Sequence, residues 1–472
     1  MEQEWFNNQK WWFGCSSNID NYLTDKYEHL LNNNKEKTDI ELILLYDQLP
    51  RHIFRNQQCN HIIEYYLQKA LLITNNLINS NKINDLDVNR FCFALLPLRH
   101  TNINKNIYTV LDYSWNRLKY KNELEIIRFI KATYQNIKIY EEASLIYKKN
   151  NFNNKIENKE VFDLNFNTLD YDLKNKNIII SLSGGVDSML CSLYLIHKFP
   201  KYKISALFIN YNNRNSSNDE EIFVKNWCKK INIDLYSRKI HEIQRAPCMK
   251  FGLRDIYETY TRNVRYNCYK QFGKNSIIVL GHNKDDILEN IFTNICHQNK
   301  YENLNGMTEL SNVDNITFWR PLLNISKNEI YKLAEKYNIP HLPCSTPIWS
   351  QRGQIRNNIV PVLNNWDNKF IDSMYQLSTN VKNLYSIMND YIDTILIINN
   401  DKIKFKINNY SLIFWRCLFL KLNIIPSNKS IINLCNRIDY FKKQDKIEKI
   451  QINITKIVYI IINKNLECQV YK

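Results

Sequence analysis

The sequence predicts a multi-domain chain, with an all-helical N-terminal domain, a parallel α/β core and a small C-terminal α+β domain. Three observations carry this. At 472 residues the chain is too long for one ordinary core and suits about three units of roughly 100 to 200 residues. Across residues 1–150 apolar side chains recur at helical spacing without strand alternation. From residue 177 onward short β-rich runs alternate with helical patterns, the signature of βαβ units and a mostly parallel sheet with helices on both faces.

In the first region the helical period is plainest in DIELILLYDQLPRHIF and EYYLQKALLITNNLI. Two pieces set charge inside apolar surroundings: YDQLPRHIFR, from Tyr46 to Arg55, and FALLPLRHTN, from Phe93 to Asn102. Either Asp47, Arg51 and Arg55 cap and bridge helices around Pro50, or Asp47, Arg51 and His100 build a pocket. With the aromatic WWFG at Trp11 to Gly14, these motifs resemble a helical family catalogued only as domain of unknown function 924. The resemblance implies a fold and no activity. A module of this kind is also a candidate contact for a protein partner.

Residues 147–176 are rich in Asn and Lys and lack a stable period, so a linker is expected over 151–176. The core then spans 177–364. Its expected strands are NIIISL, KISALFIN, SIIVLG and NITFWRPL, with helices from Met189, around Glu220 to Ile231 and from Asp285. Ligands of such sheets gather at the carboxyl ends of the strands. Over 365–472 the pattern changes to helices, including YSLIFWRCLFLKLNI, and a strand-like end, KIEKIQINITKIVYIIIN.

A net charge of +16 suits a nucleic-acid partner, although a lysine-rich coding bias produces the same number. The 12 cysteines are scattered, with no CxxC, which argues against a zinc ribbon and against a disulfide-stapled secreted scaffold. The start, MEQEWFNNQKWW, lacks the blocks of a signal peptide, and no apolar run is long enough to span a membrane. A cytoplasmic protein is expected.

Ser183, Gly184, Gly185, Val186, Asp187 and Ser188 join the first core strand to its helix. Glycines there free backbone N–H groups, the helix N-terminus favours an anion, and the serines add hydroxyls. Asp187 is suited to hold Mg2+ bridging phosphates. The loop has no Lys, so it is neither the GxxxxGK[ST] loop nor GxGxxG. It resembles the SGGxDS loop of the N-type ATP pyrophosphatases, which implies that ATP is gripped by its β and γ phosphates while the α phosphate is open to attack.

In GHNKDDILENIF, Asp286 and Glu289 share a helix face and Asp285 lies one turn from Glu289. Clustered carboxylates repel and call for a cation, either magnesium or a substrate ammonium. The plainer reading is helix-start acids complementing the dipole, which accounts for Asp285 better than for Glu289. His282 is either a solvated strand-end residue or a phosphate contact.

From Ser183 to Leu363 the order SGGVDS, FINYNNRNSSNDEE, RNVRY, GHNKDDILE, GM, WRPLLNISKNEI and RGQIRNNIVPVL resembles tRNA(Ile)-lysidine synthetase. That resemblance implies a Rossmann-like core of the adenine nucleotide alpha hydrolase type. It implies a ligase forming a C–N bond, which joins L-lysine to C2 of cytidine 34 in the anticodon loop of an isoleucine tRNA and converts ATP to AMP and pyrophosphate. By the same resemblance Asp286 and Glu289 match the lysine-recognising acids, Arg265 and Arg320 match arginines near phosphates, and Arg352 and Arg356 match the basic end that approaches RNA. Their plainer reading is surface arginine.

Departures stand beside the likeness. Phe208 and Tyr211 occupy positions where the family carries paired histidines, and Cys344 falls where it has an Asp. DDILENIF also resembles tRNA 2-thiolation enzymes, which need a CxxC pair where this chain has only Cys248. A tRNA-binding pseudoenzyme is the further alternative. In the last region Trp415, Arg416, Arg437, Lys442 and Lys443 are candidates for contacts to phosphates and bases.

Overall fold

The structure, a computed structural model, describes residues 1–13, 16–32, 36–55, 60–137, 141–150, 177–296, 304, 306–344, 346–399, 402–408, 410–444 and 447–471. The linker expected over 151–176 lies outside them.

Seven strands form the core sheet: β1 (Ser144–Tyr147), β2 (Asn177–Ser181), β3 (Ile204–Asn210), β4 (Asp234–Lys239), β5 (Ser276–Val279), β6 (Leu310–Val313) and β7 (Ile316–Trp319). Their order is β1-β4-β3-β2-β5-β7-β6. The inner five run parallel, and β1 and β6 close the edges antiparallel. Every residue of β3 is buried, as a strand covered on both faces requires. The alternation of β2 decides what covers each face. Ile178 and Ile180 meet the helices Val186–Lys198, Ser217–Lys230 and Lys327–Lys336, whereas Ile179, with Leu207 and Ile278, meets the helix Arg254–Gly273.

Beyond that last helix the same apolar core continues without a break into the N-terminal helices, from Trp5 through Phe91 and Ile130 to Phe318 of β7. The helix Leu124–Gln135 makes the junction: Tyr134 Oη donates to the Glu242 carbonyl (3.0 Å), and Lys131 pairs with Asp255 (2.8 Å). The span read as wholly helical is therefore helical only as far as Gln135. Its strand, β1, pairs with β4 with Ser144 opposite Ser237; four residues are too few to show a period against the helices before them.

A 26-residue helix, Phe370–Ile395, leads to the last unit. There β8 (Ile397–Asn399), β9 (Lys402–Lys406), β10 (Lys449–Asn453), β11 (Tyr459–Asn463) and β12 (Glu467–Tyr471) form an antiparallel sheet in the order β10-β11-β12-β9-β8. The sheet and the helices Leu412–Lys421 and Asn428–Lys442 enclose a separate core around Trp415, Leu418 and Ile460. Among the described residues no helix is long and apolar enough to cross a membrane.

The continuous core makes a testable demand. Ile130→Ala opens a cavity worth about 2–5 kcal/mol, and because the packing is shared it should speed amide hydrogen exchange in Leu124–Gln135 and Arg254–Gly273 alike. A change confined to the first helix would mean that the two regions open separately.

Candidate active site

The chain runs from β2 outward through β3 and β4, then returns to β5 on the other side of β2. That reversal opens a crevice at the carboxyl ends of β2 and β5. Gly184 lies at its floor with φ +82°, and a Cβ there would stand 2.7 Å from Leu342 Cδ1, so this turn needs glycine. Ser188 Oγ accepts from the Ser183 amide (3.1 Å) and donates to the Gly185 carbonyl (2.9 Å), and Ser183 Oγ lies 3.2 Å away. Val186 is buried in the core and anchors the loop without offering a polar group. The helix begins at Val186, three residues ahead of the expected Met189, which places Asp187 and Ser188 in its first turn. The loop after β5 presses on that turn: a Cβ on Gly281 would sit 3.0 Å from the Ser188 amide nitrogen.

Two groups bracket Asp187. Asn283 Nδ2 donates to Oδ1 (2.9 Å) and Lys327 Nζ to Oδ2 (2.5 Å). Lys327 was not singled out from the sequence. It sits at the first position of its helix, between the capping-box partners Ser326 and Glu329, where a cation opposes the dipole, and that misplacement was the available signal.

Asn283 also caps the helix Lys284–Cys296: its amide donates to Asp286 Oδ2 (3.0 Å), and the Asp286 amide donates back to its side chain (3.1 Å). Asp286 thus takes part in the cap at the helix start, beside the dipole role that the plainer reading gave to the helix-start acids. The Asp285 carboxyl is pushed up chiefly by burial. Glu289, one turn on, is 3% exposed. Arg356 grips its Oε1 from Nε (2.8 Å) and Nη2 (2.5 Å), while Oε2 is buried with no hydrogen-bond partner and has Arg352 Nε 3.8 Å away. Burial pushes the Glu289 carboxyl up, and Arg356 pulls it back part of the way.

Arg356 lies in a wide π turn, Ile355–Ile359, two residues ahead of Pro361. Proline has no N–H and its ring crowds the carbonyl four residues back, so the helix widens there. Arg356 Nη1 also reaches Cys344 Sγ (3.6 Å). The Cys344 thiol is exposed and held below its usual range: burial opposes ionisation, but hydrogen bonds from Thr346 and the charges of Arg356 and Lys327 outweigh it. Cys248, in contrast, is wholly buried and pushed up to about 12.

Arg320, just past β7, donates from Nε to His282 Nδ1 (3.2 Å) and from Nη1 to the Thr308 carbonyl (2.9 Å) and Ser311 Oγ (3.0 Å). Burial, opposed by Asp286 and reinforced by Arg320, Arg352 and Arg265, pushes the His282 imidazole down to about 4. Of these arginines Arg320 is the one bonded to His282, Arg352 lies by Glu289, and the Arg265 side chain is exposed. Phe208 is a buried strand residue packed on the face away from Arg254–Gly273, and Tyr211 is half-buried just beyond β3. Behind the acidic helix a cavity of about 590 Å³ is lined by Lys284, Met307, Glu309, Tyr375 and Lys382 among others.

Of the C-terminal candidates, Arg437, Lys442 and Lys443 are exposed. Trp415 and Arg416 are buried, and Arg416 Nη2 bonds Asn428 Oδ1 (2.5 Å). Neither is open to a base or phosphate, because the apolar helix Leu412–Lys421 is the centre of its own core.

Two outcomes are expected. Arg356→Ala leaves Glu289 buried without its partner; a wholly buried pair broken this way loses about 3–5 kcal/mol, and the partial exposure of Arg356 reduces this to about 2–3 kcal/mol. Adding Glu289→Gln should recover most of the loss in urea denaturation. His282, with its folded value near 4 below an unfolded value of about 6.5, leaves the unfolded state binding the proton first. Stability should therefore fall as pH drops from about 6.5 to about 4, and His282→Asn should flatten that part of the profile.

A family model described as PP-loop domain matches residues 157–363, and one described as a bacterial protein of unknown function, DUF924, matches residues 2–145. The tRNA(Ile)-lysidine synthase of Streptococcus pyogenes serotype M6 is 27% identical over 322 residues, 65% of this chain and 69% of that protein. The tRNA(Ile)-lysidine synthase of Staphylococcus aureus is 29% identical over 198 residues, 40% of this chain and 44% of that protein. A U34-tRNA thiolase of Methanococcus maripaludis, solved with its 4Fe-4S cluster, aligns at 18% identity over 44% of this chain and 72% of that chain, with a TM-score of 0.36. The chain thus matches the PP-loop domain model over residues 157–363, the stretch that carries the loop from Ser183 to Ser188, and the DUF924 model over residues 2–145.

Proposed function

We propose that this chain is an ATP-dependent tRNA-modifying ligase that adenylates the C2 carbonyl of cytidine 34 in an isoleucine tRNA and joins L-lysine there. The observation that carries the reading is the buried Glu289 Oε2, which among the described residues accepts no hydrogen bond and has Arg352 Nε no nearer than 3.8 Å. An orphaned carboxylate oxygen is costly, and an ammonium group entering the crevice satisfies it. The relatives' name, tRNA(Ile)-lysidine synthase, points the same way.

The residues divide the work. Backbone amides from Gly184 onward, with the Ser183 and Ser188 hydroxyls, hold the β and γ phosphates at the helix N-terminus. Asp187 with those hydroxyls fits magnesium, which is usually held by one or two carboxylates and by substrate phosphates; bound there, it would neutralise charge on the departing pyrophosphate. Lys327, now paired to Asp187, is placed to turn to a phosphate oxygen. Arg320, with His282 kept neutral as its acceptor, is held toward the same rim.

In the first step O2 of the cytidine bonds the α phosphorus and the bond to pyrophosphate breaks. In the second the lysine ε-nitrogen, as free amine, bonds C2, and the C2–O2 bond breaks so that the oxygen leaves on AMP. Glu289, with Asp285 and Asp286 one turn away, holds the α-ammonium and leaves the ε-amine to react. Arg352 and Arg356 lie toward the RNA, beside Trp349, which is 59% exposed and stacked under Arg245 at 5.3 Å, an arrangement open to an unstacked base.

Sulfur transfer is the second reading, favoured by the exposed, acidified Cys344 thiol beside Arg356. Pyrophosphate release by the full chain with ATP, magnesium and total tRNA, with and without L-lysine, separates them. Lysine-dependent release, a lysine-sized mass gain on cytidine, and a loss of about 100-fold or more in Glu289→Gln are expected. Turnover indifferent to lysine but lost in Cys344→Ser would transfer the assignment to sulfur chemistry; tRNA binding without turnover would leave a pseudoenzyme.

A further inference from the structure

The N-terminal domain holds a charged cluster of its own, built on YDQLPRHIFR and FALLPLRHTN. A second π turn, Leu44–Gln48, again ends two residues ahead of a proline, Pro50, and it turns Asp47 into the interior, where it is 1% exposed. There the carboxylate is saturated. Gln48 Nε2 donates at 2.5 Å, Arg51 from Nε and Nη2 at 3.3 and 3.2 Å, and His100 Nδ1 lies 2.9 Å from both oxygens. Burial raises the Asp47 carboxyl, but the charges and hydrogen bonds of His100 and Arg51 more than reverse this, so it stays ionised.

Arg99, next to His100, has no such partner. It is 8% exposed, its guanidinium lies over the Phe129 ring at 5.1 Å, and its Nε is buried without a hydrogen bond. Among the described residues its side chain makes no hydrogen bond or ion pair. Burial pushes its guanidinium down, an effect that Asp47 and Cys92 oppose and Arg51 reinforces. Asp47 is already engaged by Gln48, Arg51 and His100, and Arg99 makes no ion pair with it. A buried guanidinium N–H without an acceptor carries a desolvation cost. Arg51 Nη1 and His100 Nε2 are also without acceptors among the described residues, and Arg51 and His100 are 32% and 22% exposed at their side chains, which leaves the cluster a way to solvent.

We infer that Arg51, Arg99 and His100, oriented by Asp47, form a binding site for a small oxyanion in the N-terminal domain. The planar fork of a guanidinium matches a carboxylate or a phosphate monoester in the same way, and the bound anion supplies the acceptor that Arg99 lacks. The site lies outside the PP-loop domain and assigns a ligand class to a domain with no known activity.

Equilibrium dialysis of the full chain with labelled inorganic phosphate, and separately with labelled acetate, tests this. Three variants accompany the parent: Arg99→Met, Arg51→Gln, and Ser183→Ala/Ser188→Ala, which weakens the other phosphate site. The expected result is saturable binding of one anion that falls about tenfold or more in Arg99→Met and Arg51→Gln and survives in the serine variant. Phosphate preferred over acetate marks a phosphate monoester as the ligand, and the reverse a carboxylate. Arg99→Met removes an unpaired charge, so without anion it should be as stable as the parent; if it fails to fold, Arg51→Gln, a half-buried position, decides. No saturable binding of either anion, or binding lost only in the serine variant, overturns the inference.

Discussion

One carboxylate, Glu289, sets the terms for the rest of the crevice. It is buried on the helix after β5 and gripped on one oxygen by Arg356 from a segment 67 residues further along. That grip closes one wall of the site, and it is only half a solution, since among the described residues the second oxygen accepts no hydrogen bond and has only Arg352 Nε, 3.8 Å away. A fold optimised for stability alone would fill such a position with an apolar side chain. That open oxygen is what the proposed amine site rests on.

The crevice around it depends on close backbone approach. Gly281 lets the loop after β5 rest on the first turn of the phosphate helix, and Gly184 lets the chain at Leu342 lie against the loop. Through Asn283, one residue serves both halves: its side chain holds Asp187 and caps the helix that carries Asp286 and Glu289. The loop from Ser183 to Ser188 and the acidic helix are thus parts of one hydrogen-bonded unit. On the far face the N-terminal helices share the sheet's own core, so the two domains form a single packed body. Both π turns, at Leu44–Gln48 and Ile355–Ile359, lie just ahead of a proline and carry or adjoin the charged residue that matters, Asp47 in one and Arg356 in the other.

Much of this was legible in the sequence where a local rule fixes the outcome. The loop from Ser183 to Ser188 was readable because a strand, two glycines and a helix start leave few alternatives, and the acids from Asp285 to Glu289 because helical spacing places them together. Their separate roles were not: whether Asp286 caps or contacts ligand depends on where the helix begins, which Asn283 sets. Lys327 was hidden because its contact with Asp187 spans 140 residues. The convergence of Asp47, Arg51 and His100 was foreseen as one of two options, but the stranded Arg99 beside them depends on packing against Phe129 and leaves no trace in spacing. Trp415 and Arg416 misled because composition does not say which side of a helix faces a core.

The central claim is that the free oxygen of Glu289 receives the α-ammonium of an amino acid. Calorimetric titration of the full chain, loaded with a non-hydrolysable ATP analogue, with L-lysine and with 6-aminohexanoate tests it most directly, because the second compound keeps the terminal amine and lacks the α-ammonium. The account predicts binding of L-lysine and at least about tenfold weaker binding of 6-aminohexanoate. Equal affinity for the two, or lysine binding unchanged in Glu289→Gln, would contradict it.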